Sequence, residues 1–262
     1  MRVWVGTSGW QYATWKDTFY PTRLPERRWL SHYVTRFPIV EVNNSFYRLP
    51  DVATIERWRG AAPEGFVFAV KANRVITHLQ RMRAATQHVT RFWSRAQGLG
   101  NKLGPVLFQF PPSFRADVPR LADFLETLPF GMRAAFEFRH RTWWRDDVFD
   151  LLDRAGAAWV LADRAGEKVP TIVTGGFAYV RFHHGLPDRA GYPRDALKRW
   201  AKRIASLRVP EAFAFFNNDQ EVAAPGDALA LLDLLRAQEC DVVAPTAAAL
   251  ALGPEQLRLP HV

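Results

Sequence analysis

The chain has little sulfur, no long greasy run and no acidic excess. One cysteine, Cys240, in 262 residues rules out an internal disulfide framework and fits a reducing compartment. No stretch approaches the roughly 20 consecutive apolar residues that a membrane span needs. Met1 leads straight into the strand-like run Arg2-Val3-Trp4-Val5-Gly6, without the apolar segment of a secretory signal. The expectation is a cytoplasmic protein with no membrane partner. No tract is compositionally simple, so a linker between domains is not expected and residues 1–262 read as a single domain.

What is present is apolar and basic. Hydrophobic residues make up 48% and aromatics 13%, enough for a sizeable core, which excludes a disordered chain. The net charge is +9, so nucleic acid or anionic metabolites are the partners to weigh. The basic residues are scattered and no recognised nucleic-acid motif appears, so nucleic acid is the second choice.

A short apolar strand, a turn and an amphipathic helix recur along the chain. Strands are expected at 3–7, 39–43, 66–71, 105–109, 134–138, 159–163, 177–183 and 212–216. Helices are expected at 51–59, 84–99, 117–128, 146–155, 194–207 and 228–238. Pro25 opens the first helix, in which Trp29, Tyr33 and Phe37 share a face, and Pro38 stops it. Residues 164–176 carry Gly, Pro and β-branched residues but no convincing helix. Eight strands joined by crossovers imply an α/β fold, a TIM-type (β/α)8-like barrel with one helix missing after the sixth strand. No Gly-rich fingerprint supports an open doubly wound sheet.

Strand alternation then picks out candidates. In Ala134-Ala135-Phe136-Glu137-Phe138, Phe136 and Phe138 suit a face covered by helices. Ala135 and Glu137 suit a narrow barrel interior with the carboxylate at its rim. The same alternation pairs Glu41 with Ile39 and Asn43, Lys71 with Ala69, Gln109 with Leu107, Asp163 with Leu161, and Arg181 with Tyr179 and His183. If each is the last inward position of its strand, they form a polar ring at the C-terminal mouth, where active sites of this fold are built. Mixed charges there can shift pKa values enough for acid–base work. Glu137 and Asp163 are the candidate bases, and Lys71 the candidate acid or Schiff-base nucleophile. Arg139 and Arg181 suit a bound carboxylate or phosphate. Glu41, Asn43, Tyr47, Gln109, Trp143, His183, Asn217 and Asp219 complete the candidate ligand-binding set, for a small anionic or polyhydroxylated ligand. The competing reading is an ion-pair network that neutralises itself and does no chemistry.

No cofactor is predicted. A divalent metal is the less favoured alternative: Glu41, Glu137, Asp163 and His183 are ligand types, but the cations of the ring neutralise the acids, and the adjacent His183 and His184 face opposite ways. The run Gly6-Thr7-Ser8-Gly9 is a weak phosphate-loop signal, because no helix starts directly after it. Pro111-Pro112 fixes a rigid loop at which a cis bond is allowed.

Seven runs in this order resemble one family: Gly6-Thr7-Ser8-Gly9-Trp10, Glu41-Val42-Asn43-Asn44-Ser45-Phe46-Tyr47, Phe68-Ala69-Val70-Lys71-Ala72, Leu107-Phe108-Gln109-Phe110-Pro111-Pro112, Glu137-Phe138-Arg139-His140, Tyr179-Val180-Arg181-Phe182-His183 and Phe216-Asn217-Asn218-Asp219. They resemble the YecE-like proteins, domain of unknown function 72, from Val3 to about Leu235. The resemblance implies a TIM-type barrel. It implies no activity beyond a loose kinship to sugar isomerases. His184 departs from the pattern, where Gly is expected.

Overall fold

The computed structural model describes residues 1–164, 167–183 and 190–251. Among these, nine strands form one parallel sheet: β1 (Arg2–Ser8), β2 (Ile39–Val42), β3 (Val67–Lys71), β4 (Leu103–Phe110), β5 (Ala134–Phe138), β6 (Ala158–Asp163), β7 (Ala178–Phe182), β8 (Glu211–Phe216) and β9 (Asp241–Val242). They run in the order β2-β3-β4-β5-β6-β7-β8-β1, and the pairing of β1 with β2 closes the ring. The molecule is an eight-stranded parallel barrel of the TIM type.

The closing seam is shared. Thr7 and Ser8 of β1 pair with Val40 and Glu41 of β2, while Arg2 and Val3 pair with Asp241 and Val242 of β9. The short β9, which carries no periodic signal in the sequence, fills the lower half of the seam. At its upper half β1 comes so close to β2 that a Cβ at Gly6 would sit 2.1 Å from the Ile39 carbonyl oxygen. Tyr33 ties this seam to the first helical segment: its hydroxyl donates to the Ile39 carbonyl at 3.0 Å and accepts from the Thr7 amide at 2.9 Å.

The outer layer comprises α1 (Trp29–Tyr33), α2 (Asn44–Tyr47), α3 (Val52–Ala61), α4 (Thr86–Ala96), α5 (Val118–Glu126), α6 (Asp146–Arg154), α7 (Arg194–Ala205), α8 (Ala223–Arg236) and α9 (Ala247–Leu250). Asp51 and Asp117 cap α3 and α5 by accepting from the amides of Thr54 and Arg120, as expected of acidic N-cap residues. The first helix is shorter than its pattern predicts, yet Trp29, Tyr33 and Phe37 are all buried. As expected, no helix occurs among the described residues between β6 and β7. All peptide bonds among the described residues are trans, so the cis bond allowed at Pro111-Pro112 is not formed.

Two apolar layers result. Between barrel and helices lie Phe108, Phe136, Phe138, Trp159 and Phe182, among others. Inside the barrel lie Trp4, Ile39, Ala69, Leu107, Ala135, Val160, Tyr179 and Phe215. Small Ala side chains at Ala69 and Ala135 leave room for the bulky Tyr179 and Phe215, so the interior is filled rather than hollow, as in other barrels of this type.

Candidate active site at the barrel mouth

Above the interior layer, the C-terminal ends of the strands carry a buried charge network. Arg181 of β7 is its centre and is only 1% exposed. Its Nε and Nη2 donate to the two oxygens of Glu41 on β2 at 3.0 and 2.7 Å, and its Nη1 donates to Glu137 Oε2 on β5 at 2.6 Å. The Tyr179 hydroxyl donates to Glu41 Oε2 at 2.7 Å. Glu137 Oε1 accepts from Arg139 Nε at 3.2 Å and lies 3.3 Å from His183 Nε2. Asn217 Nδ2 lies 3.3 Å from His183 Nδ1, and Asn43 Nδ2 lies 3.2 Å from the Ser8 carbonyl and 3.5 Å from Asn217 Oδ1. With Asn217 donating to Nδ1, His183 is the Nε2–H tautomer, whose proton points at Glu137.

These contacts set the charges. Burial alone would raise the Glu41 carboxyl, but Arg181 and Tyr179 outweigh it and hold the group below its usual range. Burial acts the same way on Glu137, and Arg181, His183 and Arg139 overcome it more strongly, holding Glu137 well below. Burial lowers His183, only partly opposed by Glu137, so the imidazole is neutral near pH 7.

Lys71, at the end of β3, is different. It is half-buried and makes no ion pair among the described residues. Its ammonium lies over the face of Phe46, 4.3 Å from the ring centre, a cation–π contact. Burial and the nearby Arg181 push its pKa down to about 8, against the pull of Glu41 and Glu137. Phe46 also meets the His78 ring nearly at right angles, with ring centres 4.9 Å apart. Burial and then Lys71 push His78 down to about 4, and its Nδ1 lies 2.9 Å from the Thr77 hydroxyl.

Several sequence candidates therefore meet at the mouth: Glu41, Glu137, Arg139, Arg181, His183, Asn43 and Asn217 in one network, with Lys71 beside it. Gln109 is buried on the inward face of β4 and donates to the Phe110 carbonyl at 3.2 Å. Asp219 sits in the loop after β8 and accepts from Trp15 Nε1 at 2.5 Å. Tyr47 lies on α2, largely exposed, with its ring against Phe46.

Three expectations are corrected. Asp163 does share a face with Leu161, but it is the outer face: Ala158, Val160 and Ala162 point inward, and Asp163 Oδ2 accepts from Trp200 Nε1 of α7 at 2.9 Å. The inward polar end of β6 is Arg164, which interacts electrostatically with Glu137 and Arg139. The rule that placed Phe136 and Phe138 against the helices, applied to Trp159 and Leu161, assigns these faces correctly. Trp143 is fully buried behind the barrel wall, stacked on Phe138 at 4.1 Å, with Nε1 donating to the Phe114 carbonyl; it supports β5 and does not line the mouth. Arg181 spends its donors on the protein's own carboxylates, leaving Arg139 and Lys71 as the cations nearer solvent, while Arg164 pairs with Glu167 at 2.7 Å. His78 and Arg164 were missed. A basic residue two positions beyond the inward Ala162 is the signal for Arg164; His78 lies in the turn after β3 and has no periodic signal. His184 lies outside the described residues. Among the described residues no three His, Cys, Asp or Glu side chains gather as a metal-binding group, because the acids of the ring are turned toward arginines.

A closed parallel α/β barrel with a buried, arginine-centred charge network at its C-terminal mouth defines the class of protein. The chain belongs to the DUF72 family, described as protein of unknown function DUF72, which matches residues 4–250. The match continues past Leu235, through β9 and α9. The UPF0759 protein YunF of Bacillus subtilis (strain 168) is 27% identical, over 89% of this chain and 94% of its own. Among solved structures, a DUF72 family protein from Thermotoga maritima MSB8 superposes with a TM-score of 0.82 at 29% identity, covering 90% of this chain and 100% of that one. A DUF72 family protein from Enterococcus faecalis V583 gives 0.76 at 20% identity, covering 89% and 95%, a likeness of fold.

Proposed function

We propose that this barrel is an enzyme that acts on a small, polar, anionic or sugar-like metabolite at the C-terminal mouth, by proton transfer or isomerisation, in the cytoplasm. The observation that carries the reading is Lys71: a half-buried amine with no carboxylate ion pair among the described residues and a pKa of about 8, next to a fixed charge network. An amine of that pKa keeps a usable neutral fraction at neutral pH, which an ordinary lysine does not. Glu137, ionised and saturated with donors, is a poor base and suits the role of anchor for Arg139 and His183. Arg139, which bonds Glu137 through one nitrogen and is 31% exposed, suits the anionic group of the substrate. In this reading Lys71 takes a proton from a carbon next to the substrate carbonyl and returns it to substrate or solvent.

The test is to incubate the protein in D2O with a panel of sugar phosphates and keto and hydroxy acids, and to follow carbon-bound protons by NMR. Deuterium entering a position next to a carbonyl, and failing to enter with Lys71→Met, is expected. Exchange that continues unchanged in Lys71→Met sinks the assignment.

A second reading, nucleic-acid binding, has one observation in its favour. Two adjoining clefts beside the mouth, of about 580 and 490 Å3, share Arg48, Leu49 and Asp51 and also carry Arg27, Arg57, Arg91 and Arg95, against the acids Asp51 and Glu26. Binding that weakens steeply with salt would select this reading.

A further inference from the structure

Asp163, which the sequence singles out and the mouth does not use, opens onto a separate cleft. With no helix among the described residues between β6 and β7, a space of about 580 Å3 lies between the barrel wall and α7, within the roughly 300–1,000 Å3 range of small-molecule sites. Asp163 lies on its inner wall, half-buried and making no ion pair among the described residues. Its carboxylate accepts from the Trp200 indole at 2.9 Å and is also hydrogen-bonded by the Tyr192 side chain. Arg199 and Arg203, four residues apart and so on one face of α7, line the cleft with Lys168 of the crossover. Arg203 is held over the Trp200 ring, 4.7 Å from its centre. Glu167, the other acid of the lining, is within 2.7 Å of Arg164 and does not offset these cations. Among the described lining residues, three cations against one carboxylate leave an excess of two positive charges, which matches the charge of a phosphomonoester dianion.

We propose that this cleft is a second ligand site, for a small phosphomonoester that also carries a hydroxyl or ammonium donor. The phosphate sits on Arg199, Arg203 and Lys168, and the donor reaches the Asp163 carboxylate, whose acceptor sites Trp200 and Tyr192 do not exhaust. The carboxylate at the inner wall makes the cleft selective, because a bare anion meets Asp163 as a like charge. The site is distinct from the mouth, because Asp163 faces outward from β6 while the charge network faces inward; the Glu167–Arg164 ion pair is the link between them.

The test follows the Trp200 indole N–H resonance by 15N NMR on the full chain, assigned with Trp200→Phe, during titration with glycerol 3-phosphate and with inorganic phosphate. A saturable shift with glycerol 3-phosphate is expected. Its affinity should exceed that of inorganic phosphate by about ten-fold or more and fall by about as much in the Arg199→Ala/Arg203→Ala variant. Lys71→Met should bind as tightly as the parent. Asp163→Asn, which keeps an acceptor for Trp200, should erase the preference over inorganic phosphate. No saturable shift with either compound overturns the proposal. So does equal binding in the double arginine variant, a loss of binding in Lys71→Met, or inorganic phosphate binding as tightly as the ester.

Discussion

Arg181 and Glu41 face each other across the top of the barrel interior, from β7 and β2, joined by two hydrogen bonds of 2.7 and 3.0 Å with neither side chain more than 1% exposed. A second carboxylate, Glu137, takes the remaining side of the guanidinium at 2.6 Å. Strands far apart in sequence are thus bound through one cation. Two carboxylates on one arginine leave a negative excess, which Arg139 and the hydrogen bond from Tyr179 offset. Desolvating so many charges is costly, so the network is not a reservoir of net stability. Its members hold one another in one geometry.

Removing the cation alone should be severe. Arg181→Met leaves Glu41 and Glu137 buried without their main partner, and a loss of about 3–5 kcal/mol is expected in urea denaturation. Arg181→Met combined with Glu41→Gln should cost less than the sum of the single changes, because the two residues act as a pair. Additive losses would mean that the bidentate contact is not formed in solution.

Acid should unfold the protein through these carboxylates. Glu41 and Glu137 have folded-state pKa values below their unfolded ones. Their contribution is therefore full above the unfolded carboxyl pKa, near 4.3, and is lost as pH falls through the folded values. His78 and His183 are also depressed, so their share begins to fade earlier, below the unfolded histidine pKa near 6.5; for His78 the loss is complete near 4. Asp163, Asp219 and Asp227, raised by burial, act with the opposite sign. Urea midpoints measured from pH 7 to 3 should fall in two stages. Glu137→Gln should flatten the lower stage.

Lys71 should titrate near pH 8. Reductive methylation with 13C-formaldehyde, followed by an NMR pH titration, should give one lysine resonance with that midpoint. Arg139→Gln should move the midpoint up, since Arg139 is among the cations that disfavour the ammonium. A Lys71 midpoint at the ordinary lysine value, near 10.4, would remove the observation on which the proposed chemistry rests.

The seam should tolerate no side chain at Gly6. An added Cβ would lie 2.1 Å from a backbone oxygen, so strands must part. Gly6→Ala should lower stability by about 1–3 kcal/mol or more, read as a drop in thermal midpoint. An unchanged midpoint would show that β1 and β2 approach less closely than described.

Barrel and mouth were legible in the sequence for the same reason: strands that alternate small or polar with bulky apolar residues declare their faces. On β5, Ala135 and Glu137 against Phe136 and Phe138 gave the assignment directly. On β6 the charged end drew Asp163 inward, although Trp159 and Leu161 are too bulky for an interior that also holds Tyr179 and Phe215. Trp143 shows the limit for loops, where an aromatic pattern cannot say whether a ring faces the mouth or backs a strand. The missing helix could be read, because Gly and Pro exclude one; the cleft it leaves could not, since it depends on where α7 packs. Two-residue β9 is too short for any periodicity, and His78 reaches Phe46 through a turn that no pattern encodes.

The shared seam of β1 has a consequence for how the chain is made. Its first strand pairs with Glu211–Phe216 on one side and, in its lower half, with Asp241 and Val242 on the other. During synthesis from the N-terminus these partners leave the ribosome only after the strands between have emerged. The barrel therefore cannot close progressively as it is translated. Its first strand can pair early only with β2, at Thr7 and Ser8, and the rest of its hydrogen-bonding edges wait for nearly the last strands, so closure is a late event in which both ends of the barrel sequence dock together.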